Sequence, residues 1–272
     1  MPGTSVARLG GFRGGSDLAL PARQELCGIA GMACDDASQP GIPREGRTPA
    51  MKLHFFDGST TCRPIAMFAM EAGIPLELAP VNLFGGEHKG EAYTQVNPNQ
   101  LVPVLEEDDG HRLIECSAIL KYLADVAGHA AWPADKRARA AVNARMDWFN
   151  TGFLRSFGYG YAYPQLLPYL AWEDKAMQAA ALARAKAESE RLFGILNDHM
   201  LSDAHPYLGG AEPDLSDFLG VCYATLGELV GWDFDRWPRV ARWIAAMKAR
   251  PSWNPCNVGF HGWRDAVRGQ AA

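Results

Sequence analysis

Apolar and polar residues follow two kinds of spacing between residues 51 and 128. Residues 53–56 form a short apolar run that ends at Asp57 and Gly58, which predicts a strand. Further elements predicted in this segment are a helix with apolar positions Ile65, Phe68, Ala69 and Ala72, a strand at 76–81, hairpin strands at 102–105 and 112–114, and a helix with apolar positions Ile119, Leu120, Leu123 and Val126. The order strand, helix, strand, loop-rich stretch, two hairpin strands and helix predicts an α/β domain over residues 51–128.

Strand patterns end after Trp132 and Pro133, and long amphipathic segments follow. Helices are predicted at 136–150, 174–201, 214–229 and 238–249. Asp214, with Asp217 three residues later, is typical of a capped helix start, because a carboxylate there accepts hydrogen bonds from free backbone N–H groups. The pattern therefore predicts a second, all-helical domain over residues 135–272.

Residues 1–50 lack any apolar periodicity longer than a turn and are rich in glycine. Their five arginines are balanced by five acidic residues, which differs from the acid-poor pattern of a transit peptide. The apolar residues 26–34 resemble a signal-peptide core, but Glu25 and two glycines disfavour export. We expect residues 1–50 to be a disordered extension, or a non-native one that precedes a true start at Met51.

Composition excludes several function classes. With 48% hydrophobic and 21% charged residues in 272 positions, the chain is expected to build a globular core. A net charge of −5 without a basic stripe argues against nucleic-acid binding, and no apolar run is long enough to predict a membrane helix. Six cysteines without paired metal-type spacing predict a reducing, cytoplasmic location and no metal site: Cys27, Cys34, Cys62, Cys116, Cys222 and Cys256.

The turn at residues 59–64, Ser-Thr-Thr-Cys-Arg-Pro, joins the first predicted strand to a helix. Unpaired N–H groups and the helix dipole favour an anion at such a helix start. A hydroxyl or thiol there, such as that of Ser59, is suited to act as a nucleophile or to stabilise a bound thiolate. The alternative is a plain serine cap of the helix.

Two other local patterns indicate peptide binding. Pro103 lies inside an apparent strand, and a cis bond after Val102 would present an unpaired backbone edge to an extended peptide. Glu115 lies where the last hairpin strand meets a helix, a position suited to receive an amino group and, on the helix N-terminus, a carboxylate. The alternatives are an ordinary edge-strand proline and a helix cap.

Taken together, these patterns resemble the glutathione transferases: a thioredoxin-like N-terminal domain followed by an all-α C-terminal domain. The turn is most similar to the theta-like, serine-type branch and its bacterial relatives. The resemblance spans nearly all of residues 51–270. It also includes Val96-Asn97-Pro98, the Glu-x-x-Ala-Ile run at 115–119, Pro-x-Leu-Ser-Asp at 213–217, and Trp-Pro…Arg-Trp…Met-x-x-Arg-Pro at 237–251.

The resemblance implies a glutathione site with named roles. Ser59 would donate a hydrogen bond to the glutathione sulfur, and Val102, before a cis Pro103, would pair with the cysteinyl main chain. The remaining implied contacts are Glu115 and Cys116 to the γ-glutamyl end, and His88 and Lys89 to the glycyl carboxylate.

Two positions depart from the family pattern. Cys116 replaces the usual serine, so that its backbone N–H or Ser117 would hold the carboxylate. Leu101 replaces a polar or basic residue, for which Gln100 would compensate.

A pocket for the second substrate is expected between the domains, under the first long helix. Its candidate wall residues are Phe56, Trp148, Asn150, Arg155, Phe157, Tyr159, Tyr161 and Tyr163. An aromatic stretch of this kind also suits a hydrophobic core. Arg155 stands out, because an interdomain arginine would steady a carboxylate or a leaving group.

The function implied is that of a glutathione S-transferase in detoxification, with glutathione as co-substrate and a small hydrophobic electrophile as second substrate. Substitution, addition and dehalogenation belong to this reaction class. Thiol-disulfide exchange or peroxide reduction through Cys62 or Cys116 is one alternative, and a non-catalytic binding module is another. The family also implies a homodimer.

Overall fold

The computed structural model describes residues 50–271. Residues 1–49, on which the prediction of a disordered or non-native extension falls, lie outside the described residues.

A mixed four-stranded sheet forms the first part of the fold. Its strands are β1 (Met51–Phe55), β2 (Leu76–Pro80), β3 (Val104–Glu107) and β4 (Arg112–Ile114), in the order β2-β1-β3-β4. β1 pairs parallel to β2 and antiparallel to β3, and β3 pairs antiparallel to β4. The parallel pair follows from the helix between its strands, because a parallel connection needs a crossover.

Three helices pack with this sheet: α1 (Arg63–Glu71), α2 (Glu91–Val96) and α3 (Cys116–Val126). Most of the apolar positions predicted for α1 and α3 are buried, with Ile65, Phe68 and Ile119 fully covered, whereas Ala72 is half-buried and Val126 is exposed. α2 lies within the stretch predicted to be loop-rich and was not itself predicted. The helix has only six residues and buries only Tyr93, which leaves too short a pattern to show helical spacing.

The hairpin strand predicted at 102–105 begins two residues later than expected. Pro103 has no backbone N–H to donate to the ladder, and the regular pairing starts at Val104. Val102 is therefore left beside the sheet rather than within it, at the edge that faces the turn before α1.

The rest of the described chain is mostly helical. Its α-helices are α4 (Lys136–Trp148), α5 (Tyr163–Leu166), α6 (Lys175–Ile195), α7 (Leu215–Ala224), α8 (Pro238–Lys248), α9 (Trp253–Cys256) and α10 (Val258–Ala271). π-Helical turns at Phe149–Ala162 continue α4, and those at Leu196–Met200 continue α6. The predicted fold class, a thioredoxin-like α/β part followed by a helical part, is confirmed. Across residues 50–271, none of the helices combines the length and apolar character needed to cross a membrane.

Candidate functional site

Ser59 lies in the tight turn between β1 and α1 and is half-buried. Its Oγ accepts hydrogen bonds from the backbone N–H groups of Thr61 and Cys62, both at 3.3 Å. Both N–H groups lie before α1, whose N-cap residue is Cys62 and whose start has no side-chain cap, so the alternative of a plain serine cap of the helix is not confirmed. The two bonds use the lone pairs of the oxygen, and the hydroxyl can still act as a donor.

A second hydroxyl lies beside that of Ser59. Thr61 Oγ1 is 3.1 Å from Ser59 Oγ and donates to the carbonyl oxygen of Val102 at 3.3 Å. The peptide bond between Val102 and Pro103 is cis, as the resemblance implied. The fold thus brings together the turn and the proline, two features that the sequence places about forty residues apart.

The loop before Val102 is fixed through the carbonyl oxygen of Leu101. That oxygen accepts from Tyr93 Oη at 2.9 Å and from Asn97 Nδ2 at 2.8 Å, whereas the Leu101 side chain is 60% exposed. Gln100 has a positive φ of 56°, and its amide donates to Thr94 Oγ1 at 3.1 Å. Gln100 is therefore already engaged within its own loop, although it stays half-buried beside the site.

Glu115 occupies an uncommon backbone conformation at the start of α3. Its φ of 71° lies in the region that side-chain-bearing residues rarely adopt, and its side chain is exposed. The Cys116 side chain is buried, so the thiol points into the core and only the backbone N–H is suited to hold a ligand carboxylate. Ser117 accepts a hydrogen bond from Asn150 Nδ2 at 3.1 Å.

His88 and Lys89 lie in a single 3₁₀ turn after β2. Lys89 is exposed, whereas His88 is half-buried and its Nδ1 is covered without a hydrogen-bond partner among the described residues. Partial burial, with the nearby charge of Lys89, lowers the pKa of His88. A covered ring nitrogen with an unused hydrogen-bonding capacity is consistent with a polar ligand at this edge.

The turn that carries Ser59 is anchored to the helical part of the molecule. Arg63, which begins α1, is fully buried and donates to Asn257 Oδ1 at 2.6 Å and to the carbonyl of Cys222 at 2.8 Å. Its guanidinium also lies 4.0 Å from the ring centre of Phe260. A further bond joins Tyr163 Oη to Thr60 Oγ1 at 2.8 Å. The position of the turn thus depends on both halves of the chain.

Asp57, which ends the first strand segment, was not singled out from the sequence. Its carboxyl group is half-buried against Gly259 of α10, where a Cβ would come within 2.2 Å of the carboxyl atoms, so a larger residue would displace the Asp57 side chain. Burial raises the pKa of Asp57. The close approach holds the start of α10 over the end of β1, two residues before Ser59.

The residues proposed for a second-substrate pocket fall into different environments. Asn150 bridges Ser117 and Tyr223 and so joins α3 to α7, while Trp148 packs edge-on against Phe149. Tyr159 is 57% exposed and lies edge-on to Tyr163. These positions place Asn150 and Tyr163 in the interdomain contact and Tyr159 at its open side.

Other members of that set are not interdomain. Arg155 is exposed, and together with the closer Arg191 it lowers the pKa of Glu188 on α6. Phe157 is fully buried and packs at 4.9 Å on both Phe193 and Trp232, so it belongs to the core of the helical part. The interpretation of Arg155 as an interdomain arginine is corrected, because its side chain lies beside α6.

Phe56 lines a cavity of about 210 Å³ at the carboxyl ends of β1 and β2. The other lining residues are Phe55, Asp57, Pro80, Val81, Asn82 and Glu87. The ring of Phe56 meets the exposed ring of Phe84 edge-on at 5.4 Å. This mostly apolar space lies on the β2 side of the Ser59 turn, rather than under α4 as expected.

Cys62 and Cys116 are buried in the core. Burial raises the pKa of Cys62 to about 12, and it raises the pKa of Cys116 well above the ordinary range. Since the thiolate is the reactive form, neither residue is suited to redox chemistry in the folded protein. Among residues 50–271 no cluster of three or more metal-ligating side chains occurs.

We expect the thiols of Cys62 and Cys116 to resist alkylation by iodoacetamide at neutral pH. Peptide mass spectrometry of the full chain should show labelling of both residues at least about tenfold slower than in urea, since burial removes both access and thiolate. Rapid labelling of Cys62 in the folded protein would contradict this and restore the thiol-exchange alternative.

Comparisons with known proteins agree with this geometry. Residues 58–126 match the family model described as glutathione S-transferase, N-terminal domain. Glutathione S-transferase theta-1 of Mus musculus is 33% identical over 197 residues, which cover 70% of this chain and 79% of that protein.

Two human structures share the fold over about four fifths of the chain. Theta-2 glutathione transferase, in complex with glutathione and an unknown ligand, has a TM-score of 0.70 at 26% identity, covering 82% of this chain and 90% of its own. Glutathione-S-transferase T1-1 in its apo form has a TM-score of 0.67 at 25% identity, and the match covers 81% of this chain and 96% of that chain. The likeness therefore extends beyond the α/β part into the helices.

Proposed function

Because the chain belongs to the glutathione S-transferase family, we propose that Ser59 stabilises the glutathione thiolate, as in the theta-like, serine-type branch and its bacterial relatives. The observation that carries the proposal is the hydrogen bonding of Ser59. Its oxygen accepts two backbone N–H groups in the turn before α1, so the side chain acts on any further partner as a hydrogen-bond donor.

The energies are sufficient without a general base. A thiol with a pKa of ~8.5 needs ~2.7 kcal/mol of preference for its anion to ionise two units lower. A hydrogen bond to a charged group contributes ~1.5–3 kcal/mol, and a helix N-terminus adds ~0.3–1 kcal/mol. Ser59 acts as an anion stabiliser in this scheme, not as a covalent nucleophile.

The rest of the tripeptide is assigned to groups along the same face. The main chain at Val102, before cis Pro103, pairs with the cysteinyl part. Glu115 binds the amino group of the γ-glutamyl end, and the Cys116 N–H at the start of α3 holds its carboxylate. His88 and Lys89 receive the glycyl carboxylate. Gln100 lies beside the site, in the loop before Val102.

The reaction proposed is attack of the thiolate on a small hydrophobic electrophile. In substitution, a carbon–sulfur bond forms and the leaving group departs with its electron pair, which includes dehalogenation. In addition, the same bond forms and solvent supplies a proton to the neighbouring atom. The apolar cavity at Phe56 and the exposed ring of Tyr159 flank the region in which the electrophile would bind.

By likeness to the family, we also propose a symmetric homodimer that works in the cytoplasm in detoxification. Thiol exchange through Cys62 has no support in the structure, since that thiol is buried. A non-catalytic module remains the competing function, and the binding experiment below distinguishes it.

Ultraviolet titration of glutathione bound to the full chain tests the proposal. We expect the bound thiol to ionise about two pH units below the free thiol, because the anion gains the Ser59 bond and the helix start. S-methylglutathione, whose sulfur cannot ionise, is the control ligand. Binding with an unshifted thiol, or no binding, would assign the chain to a non-catalytic role.

A further inference from the structure

The hydroxyl of Thr61 connects two parts of the proposed site that belong to different elements. It lies 3.1 Å from Ser59 Oγ, in the turn before α1, and 3.3 Å from the carbonyl oxygen of Val102, before β3. Thr61 and Val102 are 41 residues apart in the sequence, so only the fold brings the two groups together. Thr61 is half-buried, so water competes only in part for its hydrogen bonds.

The direction of each hydrogen bond follows from the number of hydrogens present. A carbonyl oxygen only accepts, so Thr61 must give its single hydroxyl hydrogen to Val102. Thr61 can then only accept from Ser59, and Ser59 is the donor in the bond between them. The Ser59 oxygen in turn accepts the N–H groups of Thr61 and Cys62. The result is one directed chain from the helix start, through Ser59 and Thr61, to Val102.

We propose that Thr61 is a positioning residue that aligns the Ser59 hydroxyl and the Val102 carbonyl for the same ligand. The inference rests on the proposed function, because it assumes that Ser59 donates to the sulfur and that Val102 pairs with the cysteinyl main chain. In this structure the hydrogen of Ser59 is given to Thr61, and it would turn to the sulfur by rotation about the Cβ–Oγ bond. The oxygen itself stays fixed by its two N–H donors.

Removing the Thr61 hydroxyl affects both of its hydrogen-bond partners, Ser59 and Val102. Ser59 loses its acceptor and samples other hydroxyl directions, and the Val102 carbonyl loses its donor. In Thr61→Val a methyl group takes the place of the oxygen at 3.1–3.3 Å from two oxygen atoms, which is closer than a methyl tolerates. Thr61→Ala removes the hydroxyl without this crowding, so the two variants separate lost bonding from steric displacement.

The test compares Thr61→Val, Thr61→Ala and Thr61→Ser with the full wild-type chain by ultraviolet titration of bound glutathione and by steady-state kinetics. We expect the pKa of bound glutathione to rise by about 0.5–1 in the Val and Ala variants, and KM for glutathione to rise about 2- to 10-fold, the effect of one or two ordinary hydrogen bonds. Thr61→Ser keeps the hydroxyl, so the pKa of bound glutathione and KM for glutathione should stay at their wild-type values.

Thr151→Val is the matched control. The Thr151 hydroxyl donates to the carbonyl of Asp147 on an exposed helical position, and its loss should move neither value. A merely structural role for Thr61 would lower the melting temperature of the Val and Ala variants while leaving the pKa and KM unchanged, and that result overturns the inference. If wild-type protein itself leaves the bound thiol unshifted, the proposed function fails instead.

Discussion

Replacing Ser59 by alanine is expected to lower kcat/KM for glutathione conjugation by about 10- to 150-fold, the equivalent of one hydrogen bond to a charged sulfur. The loss should come with a rise in the pKa of the bound thiol, because the variant lacks the hydroxyl hydrogen proposed to bind the sulfur. The fold should persist. Ser59 is half-buried, the N–H of Cys62 keeps the Ser59 carbonyl as an acceptor at 3.2 Å, and the N–H of half-buried Thr61 can bond to water, so the expected cost is about 1 kcal/mol.

Three companion variants sharpen the result. Ser59→Thr keeps the hydroxyl and should keep most of the activity, while Ser202→Ala removes the same group from an exposed loop and should change nothing. Cys62→Ser should leave conjugation intact. Undiminished activity in Ser59→Ala would refute the serine mechanism, and loss of activity only in Cys62→Ser would point to thiol exchange.

The arrangement of the α/β part is predictable from sequence because local residue patterns indicate most of its strands and helices. The apolar faces of α1 and α3 recur at helical spacing, and the acidic turn ending at Gly110 marks the hairpin. α2 and α10 escape prediction for the opposite reason. α2 is too short for a period to develop, and α10 carries Gly259 and Gly262, which weaken helical patterns. The glycine at 259 is explained only by a tertiary contact, the approach of Asp57.

The residues of the site also divide into those that the sequence predicts and those that only the fold reveals. Ser59, Pro103 and Glu115 can be chosen from sequence, since each stands at an element boundary where backbone groups are unpaired. Thr61 cannot, because its partner Val102 is distant along the chain and the contact depends on how β3 is paired. Arg155 shows the converse limit: the first long helix was predicted to end at residue 150, so the sequence predicts no helix face for Arg155, which lies in the π-helical turns that continue α4.

Asp217 is the second residue whose loss should have a large effect, here on stability. Its carboxylate is fully buried at the start of α7 and accepts four hydrogen bonds. The donors are Leu208 N at 2.7 Å, Trp243 Nε1 at 2.8 Å, Asp214 N at 2.9 Å and Gly209 N at 3.0 Å. These bonds join the loop before α7, the capping box of α7 and a fully buried tryptophan of α8. The sequence predicted the cap but not the tryptophan or the loop.

Asp217→Ala should therefore lower the free energy of unfolding by about 3–5 kcal/mol, because four N–H groups lose their acceptor where water does not reach. Urea denaturation of the full chain measures this loss. Asp233→Ala is the matched control: Asp233 caps a short exposed 3₁₀ helix through a single bond to Asp235 N at 3.1 Å, and its loss should cost about 1 kcal/mol or less. If the two variants lose equal stability, the buried network contributes no more than an ordinary cap. A much larger loss at Asp217 would instead show that one carboxylate holds three separate segments of the helical half together.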